Sequence, residues 1–338
     1  MRLSKHPLRL LCGAALILSG AANAGIADCL DLAGDDERLA CYDRESGRNT
    51  RKALAPKPAS EPVSSRLSER WELNPEHKTG TFQFRYHQPI YFLVNWSDNI
   101  NTSPSSPTHS VNLKAAGDEY NELPWMATEV KFQLSFKVKA WENMIGDNGD
   151  LWLAYTQRSF WQLFNKDVSA PFRETNYSPE LINTWRTDLS AGGVSLKMVN
   201  LGLIHQSNGR AGEFSRSWNR VYAQFGVEAG NLAVLVRPWH RLEEEISNDD
   251  NPDIEDYMGR GDLTAIYLRG KHQFSLVGRH SLRSGDRSHG SLEFDWGFPI
   301  QGNLKGYLQV FTGYGSSLID YNHKQTTIGA GISLAEWL

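Results

Sequence analysis

Beyond about residue 80 the apolar positions recur every second residue. Phe132, Leu134, Phe136 and Val138 alternate with Lys131, Gln133, Ser135, Lys137 and Lys139; Ile328, Ala330, Ile332 and Leu334 alternate with Thr327, Gly329, Gly331 and Ser333. Side chains two apart share one face of a strand, so this pattern predicts sheet with an apolar and a polar side. Such stretches begin near Phe82, Ala127, Leu151, Asn176, Val194, Ser217, Asn231, Asp262, Lys271, Ser291, Leu304 and Gln325. They predict about twelve strands, an even number, as single-chain bacterial barrels require. Long connections (97–126, 161–175, 208–216, 241–261) alternate with shorter ones (142–150, 188–193, 229–230, 297–303), the asymmetry between outer loops and periplasmic turns. Trp96, Trp125, Trp141, Trp152 and Trp185 fall near strand ends and predict aromatic girdles. The expected fold is all-β: an antiparallel transmembrane β-barrel with a short N-terminal periplasmic tail. Lys131, Lys137, Arg220 and Gln224 on inner faces predict a filled lumen. A soluble secreted β-sandwich would show the same alternation.

One hairpin, 194–228, breaks the rule that the apolar side carries only apolar groups. Val199, Leu201 and Leu203 point one way, and the same row continues into His205 and Ser207. Their Cα atoms are expected about 7 Å apart, a gap that an imidazole and a hydroxyl can bridge. With the turn centred near Gly212, Asn219 falls opposite His205 on the same face. A periplasmic tail makes the first strand run outward, and the fifth strand, 194–207, does so too. His205 and Ser207 then sit on the lipid face near the outer leaflet, where an acyl ester is the natural substrate of a serine hydrolase.

The chemistry matches that location. Serine needs a base to take its proton, histidine is the usual one near neutral pH, and the base needs an orienting acceptor. Asn219 offers an amide oxygen, weaker than a carboxylate but less costly to desolvate beside lipid. Gly209 lets the chain turn sharply after Ser207 and can present its amide to an oxyanion. The polar loop with Arg210, Ser215 and Ser217 can hold a hard cation through oxygens.

Composition adds the compartment. Arg2, Lys5 and Arg9, an apolar run from Leu10 to Leu18 and Ala22-Asn23-Ala24 predict a secretory signal over 1–24. Removing its three basic residues takes the formal charge from −4 to −7, which argues against a nucleic-acid surface. Cys12 leaves with the signal; Cys29 and Cys41 form an even pair in an oxidising route and predict a disulfide. Residues 25–77 read as a cystine-containing periplasmic tail, helical over Leu30 to Tyr42, with a Pro-rich tether at 56–62, and 78–338 as the barrel.

The run HQSNGR followed by SRSWNR resembles the outer-membrane phospholipase A family, as do APFRETNYSPEL (170–181), DDNPDIEDYMG (249–259) and SLIDYNHKQT (317–326). The resemblance spans about Leu73 to Leu338. It implies a calcium-dependent twelve-stranded enzyme of the cell outer membrane, cleaving phospholipid acyl esters at either sn position (phospholipase A1/A2, lysophospholipase). His205 would be the base, Ser207 the nucleophile, Asn219 the orienter, and Gly209 the oxyanion-hole amide. Ca2+ would be held at a reversible homodimer contact by the Arg210 carbonyl, the Ser215 hydroxyl and the Ser169 carbonyl of the second copy. Gln157 matches a glutamine buried in the membrane part of that contact. It shares a strand face with Leu151, Leu153 and Tyr155, so it points into lipid unless paired; a shifted register would turn it into the lumen. The tail departs from the family in length. Ala211-Gly212-Glu213-Phe214 departs where a carboxylate would serve a calcium site in the monomer. Two other classes compete with the enzyme: a passive channel or structural barrel, and a soluble periplasmic hydrolase.

Overall fold

The computed structural model describes residues 29–45, 65–108, 123–302 and 304–338. The predicted signal and the Pro-rich tether lie outside the described residues. The chain divides into two compact units, and the first holds α1, Asp35–Glu45. Asp35, Asp36 and Glu37 in its first turn and Arg44 in its last complement the helix dipole. The helix begins and ends a few residues later than the expected 30–42. Cys29 and Cys41 are joined in a disulfide, with Cα atoms 5.5 Å apart.

The second unit is a β-barrel. Its segments are β1 (Phe84–Tyr86), β2 (Ile90–Ser97), β3 (Thr128–Trp141), β4 (Asp150–Trp161), β5 (Phe172–Ala191), β6 (Val194–Ser207), β7 (Ser217–Ala229), β8 (Leu232–Leu242), β9 (Gly261–Arg269), β10 (His272–His280), β11 (Gly290–Gln301), β12 (Leu304–Tyr314) and β13 (Lys324–Ala335). Both β1 and β2 pair with β3, so they are two parts of one wall strand interrupted around Pro89, which has no N–H for the ladder. From β2 onward each strand pairs antiparallel with the next, and β13 returns to β2, closing twelve strands. Closure gives every strand from β2 to β13 a neighbour on both sides, as a sheet in hydrocarbon requires.

The alternation resolves as the pattern requires. Leu134, Phe136, Leu201, Leu203, Ile328 and Ile332 are on the outside, while Lys131, Lys137, Arg220 and Gln224 are buried within. The lumen is packed with paired polar groups. Arg173 forks onto Glu129 at 2.8 and 2.9 Å and reaches Asp320 at 2.8 Å. Lys131 donates to Gln309, Arg158 to Gln133 and Arg237 to Asp262. A cavity of about 110 Å³ lined by Gln133, Arg158, Arg220 and Arg279 leaves room for a few waters among these side chains.

Two details differ from the sequence pattern. β5 begins at Phe172, because a bulge opposite Phe160 and Trp161 leaves both Arg173 and Glu174 buried and breaks the alternation. Trp152, expected in a girdle, is fully buried in the lumen, edge-on to Trp71.

The barrel unit also starts earlier than the expected residue 78. Ser65 caps α2 (Arg66–Trp71), accepting from the Ser68 N–H at 3.1 Å. This short helix closes the short-turn end of the barrel: Leu67 and Trp71 are buried, and the Leu67 N–H donates to Glu228 Oε1 at 2.7 Å. The Lys137 ammonium lies 3.2 Å from the centroid of the Trp71 ring. Glu72 ends the helix, holding Arg85 at 2.8 Å and Lys139 at 2.9 Å. Burial pushes its carboxyl up, but hydrogen bonds from Thr79, Lys139 and Arg85 prevail and hold it down at about 2.

Candidate active site

The site is built on the β6–β7 hairpin at the barrel end opposite α2. Ten residues before the turn, β6 is an ordinary wall strand: Leu201 and Leu203, each 49% exposed, face outward, and Gly202 faces the lumen under Tyr222. The period continues, so His205 and Ser207 emerge on the outer face while Ile204 turns inward. In the ladder His205 is paired with Asn219, and Ser207 with Ser217. His205 Nδ1 lies 2.8 Å from Asn219 Oδ1. Ser207 stands two residues along from His205 on the same face; among the described residues, no side chain bonds its hydroxyl. Histidine and asparagine are therefore joined, and the serine is adjacent with its hydroxyl uncommitted. Catalytic hydrogen bonds often tighten only when substrate is bound.

Beyond Ser207 the chain folds back through a loop pinned by Asn208. Its buried side chain accepts from the Arg216 N–H at 3.0 Å and donates to the Phe214 carbonyl at 2.8 Å. Gly209 has φ +65°, and a Cβ there would stand 3.1 Å from the Tyr177 ring. Both the backbone conformation and the ring exclude a larger residue. Tyr177 itself pairs with Ser207 across β5 and β6. The Arg210 guanidinium turns back onto the Phe172 and Arg173 carbonyls, tying the loop to the start of β5.

A second loop, 243–260, packs onto this one. Arg241 Nη2 donates to both carboxylate oxygens of Asp249 at 2.7 Å, Asn251 donates to the Ser217 carbonyl and accepts from its N–H at 2.9 Å, and Ser215 Oγ donates to Asp250 Oδ2 at 2.5 Å. Nearby, Asn219 Nδ2 donates to Glu244 Oε1 at 3.0 Å. Tyr177, Glu244 and Asp250 were not singled out from the sequence. Glu244 and Asp250 lie 25 and 31 residues after Asn219, and only the DDNPD run marked their loop. Among the described residues, no three His, Cys, Asp or Glu side chains cluster to hold a metal. A cation here would instead meet hard oxygens: the Ser215 hydroxyl, the Asp250 carboxylate and loop carbonyls, a donor set that suits calcium. Ser169 is exposed in a separate loop, with φ +61° after the short helical turn Lys166–Val168.

Gln157 is on the outside of β4, as its neighbours Leu153 and Tyr155 require, and not in the lumen. It is not left unpaired there. Tyr155 Oη donates to Gln157 Oε1 and Gln157 Nε2 donates to Ser159 Oγ, both at 3.1 Å, while Thr175 extends the ladder to Ser159 at 3.2 Å.

The family profile described as Phospholipase A1 matches residues 67–334. A phospholipase A1 of Klebsiella pneumoniae is 44% identical over 252 residues, covering 73% of this chain and 81% of that protein. The outer membrane phospholipase A of Escherichia coli superposes with a TM-score of 0.67 at 36% identity, covering 77% of this chain and 95% of that one. The Salmonella typhi outer membrane phospholipase, solved as a dimer with bound calcium, gives 0.66 at 35% identity with the same coverage. Together with the closed twelve-stranded wall, these likenesses settle class and compartment: this chain belongs to the phospholipase A1 family, carboxylic ester hydrolases housed in an outer-membrane β-barrel.

Proposed function

We propose that this protein is a calcium-dependent serine hydrolase that removes acyl chains from phospholipids at either sn position, and from lysophospholipids, on the outer-leaflet side of the barrel wall. The observation that carries the reading is the 2.8 Å contact of His205 Nδ1 with Asn219 Oδ1 on the outward face, beside the uncommitted Ser207 hydroxyl. A neutral amide oxygen accepts the Nδ1 proton, so Nε2 keeps its lone pair for the serine. As Ser207 Oγ attacks the ester carbonyl carbon, His205 takes its proton and later returns it to the leaving alkoxide. The acyl-serine is then cleaved by water, with the same imidazole as base. The Gly209 N–H is the proposed donor to the oxyanion, on a turn that only glycine fits.

Calcium, when bound, supplies positive charge that stabilises the developing oxyanion. The Ser215 hydroxyl and the Arg210 carbonyl would hold it, with the Ser169 carbonyl from the partner subunit, and the Asp250 carboxylate beside Ser215 adds a charged oxygen to the set. The homologue solved as a calcium-bound dimer supports a reversible homodimer as the active form. Gln157 supports it as well: after its contacts to Tyr155 and Ser159 one amide hydrogen remains to be paired, and in hydrocarbon a second copy is the available partner.

The test is hydrolysis of phospholipid in mixed micelles. With calcium, fatty acid and lysophospholipid are released; chelator stops release, and Ser207→Ala lowers it by about a thousandfold or more. A folded Ser207→Ala protein that remained active would defeat the assignment.

A further inference from the structure

In a Ser-His-Asn site the weak element is the amide. Its two ends are nearly the same size, and flipped by half a turn it would present NH2 to His205. The imidazole would then accept at Nδ1, carry its proton on Nε2 and be unable to take one from serine. Something must hold the amide the right way round. The ladder supplies the place: Leu242, the last residue of β8, pairs with Asn219, and Glu244 follows two residues later. Its carboxylate reaches Asn219 Nδ2 at 3.0 Å, while Asn219 Oδ1 faces His205 Nδ1 at 2.8 Å.

We infer that Glu244 is a positioning residue for catalysis, acting on Asn219 from behind and making the site a Glu-Asn-His-Ser series. This rests on the reading of Ser207, His205 and Asn219 given above. An ionised carboxylate only accepts, so it bonds the NH2 end and no other, leaving the oxygen for the histidine. Its charge also polarises the amide, strengthening the acceptor that the imidazolium meets as the proton arrives. The arrangement keeps the charge one residue away from the lipid-facing histidine, so the desolvation cost of a carboxylate at that position is avoided while part of its electrostatic effect is retained.

The experiment is steady-state hydrolysis by the full-length protein in mixed micelles with saturating calcium, using folded barrel only. Glu244→Ala lowers kcat by about tenfold with KM changed by less than about twofold, because an orientation is lost and not a substrate contact. Glu244→Gln, which keeps an accepting oxygen but can itself flip, loses about threefold. Asn219→Asp sets two carboxylates against each other in the native background and loses about a hundredfold. Combined with Glu244→Gln, Asn219→Asp regains at least about tenfold, since the like charge has gone. A purely structural contact would not produce that reversal. Unchanged kcat in Glu244→Ala, or an Asn219→Asp protein equally slow with and without Glu244→Gln, overturns the inference while leaving the hydrolase assignment in place. Hydrolysis that survives Ser207→Ala overturns both.

Discussion

Among the described residues, two histidines stand in hydrogen-bonded series with a carboxylate, and they are built for opposite purposes. In the lumen His87 Nε2 meets Glu180 Oε1 directly at 3.2 Å, and Tyr222 Oη closes the other carboxylate oxygen at 2.9 Å. All three are buried. On the outer face His205 meets an amide first, and the carboxylate of Glu244 stands behind it. Inside, each group uses its neighbours to stay where it is, and breaking one pair strands a buried charge. Outside, the serine hydroxyl is left uncommitted, and an uncommitted group at a lipid boundary is what catalysis needs. The difference explains how one strand, β6, serves both the wall's stability and its chemistry: alternate residues belong to different problems.

The largest effect that would sharpen this contrast is in the lumen. Arg237 is the charge partner of Asp262, at 2.5 Å. Arg237→Leu should destabilise the barrel by about 3–5 kcal/mol, read as a shift in its thermal unfolding on gels, while the turnover of the protein that remains folded is unchanged. Equal stability would mean that the lumen network does not hold the fold. On the outer face the expectation is reversed. Gly209→Ala must adopt φ +65° against the Tyr177 ring and displaces the proposed oxyanion donor, so kcat of the folded protein should fall by about a hundredfold, beside a smaller cost to unfolding of about 1–3 kcal/mol. Native kcat in this variant would remove Gly209 from the mechanism.

A smaller effect is expected at the α2 end and depends on pH. The folded Glu72 carboxyl titrates at about 2, below its ordinary 4.5, so its contribution to stability is present above pH 4.5 and is lost as pH falls from 4.5 towards 2. Glu72→Gln should therefore cost stability at pH 7 and cost progressively less over that acid window, checked by unfolding at both ends of it. A mutational effect that did not vary with pH would show that Glu72 acts by shape alone.

Much of this contrast was legible before any coordinates, because a period of two assigns every side chain to one face. That is why the outward register of His205, Ser207 and Asn219 and the inward register of Lys131 and Arg220 could be read from the chain. The failures share one cause: contacts made by elements without periodicity. The bulge at Arg173 moved the start of β5, and α2 could be recognised as a plug only with the barrel around it; Trp152 is the exception, since the alternation of β4 already turned it to the lumen, away from Leu153 and from any girdle. Glu244 sits in a run of three glutamates that looks like a solvated loop. Nothing in its local spacing says that it reaches back to Asn219. Gln157 was placed on the correct side, but its partners Tyr155 and Ser159, on the same face of its own strand, were not weighed as relief for its amide.

The central claim is that the outward-facing Ser207 is the nucleophile and His205 its base. Treating folded protein in calcium-containing micelles with a fluorophosphonate and locating the adduct by peptide mass spectrometry tests it directly. The account predicts a single phosphonylated residue, Ser207, with labelling lost in His205→Ala. An adduct on another serine, or labelling of Ser207 that is indifferent to His205, would contradict it.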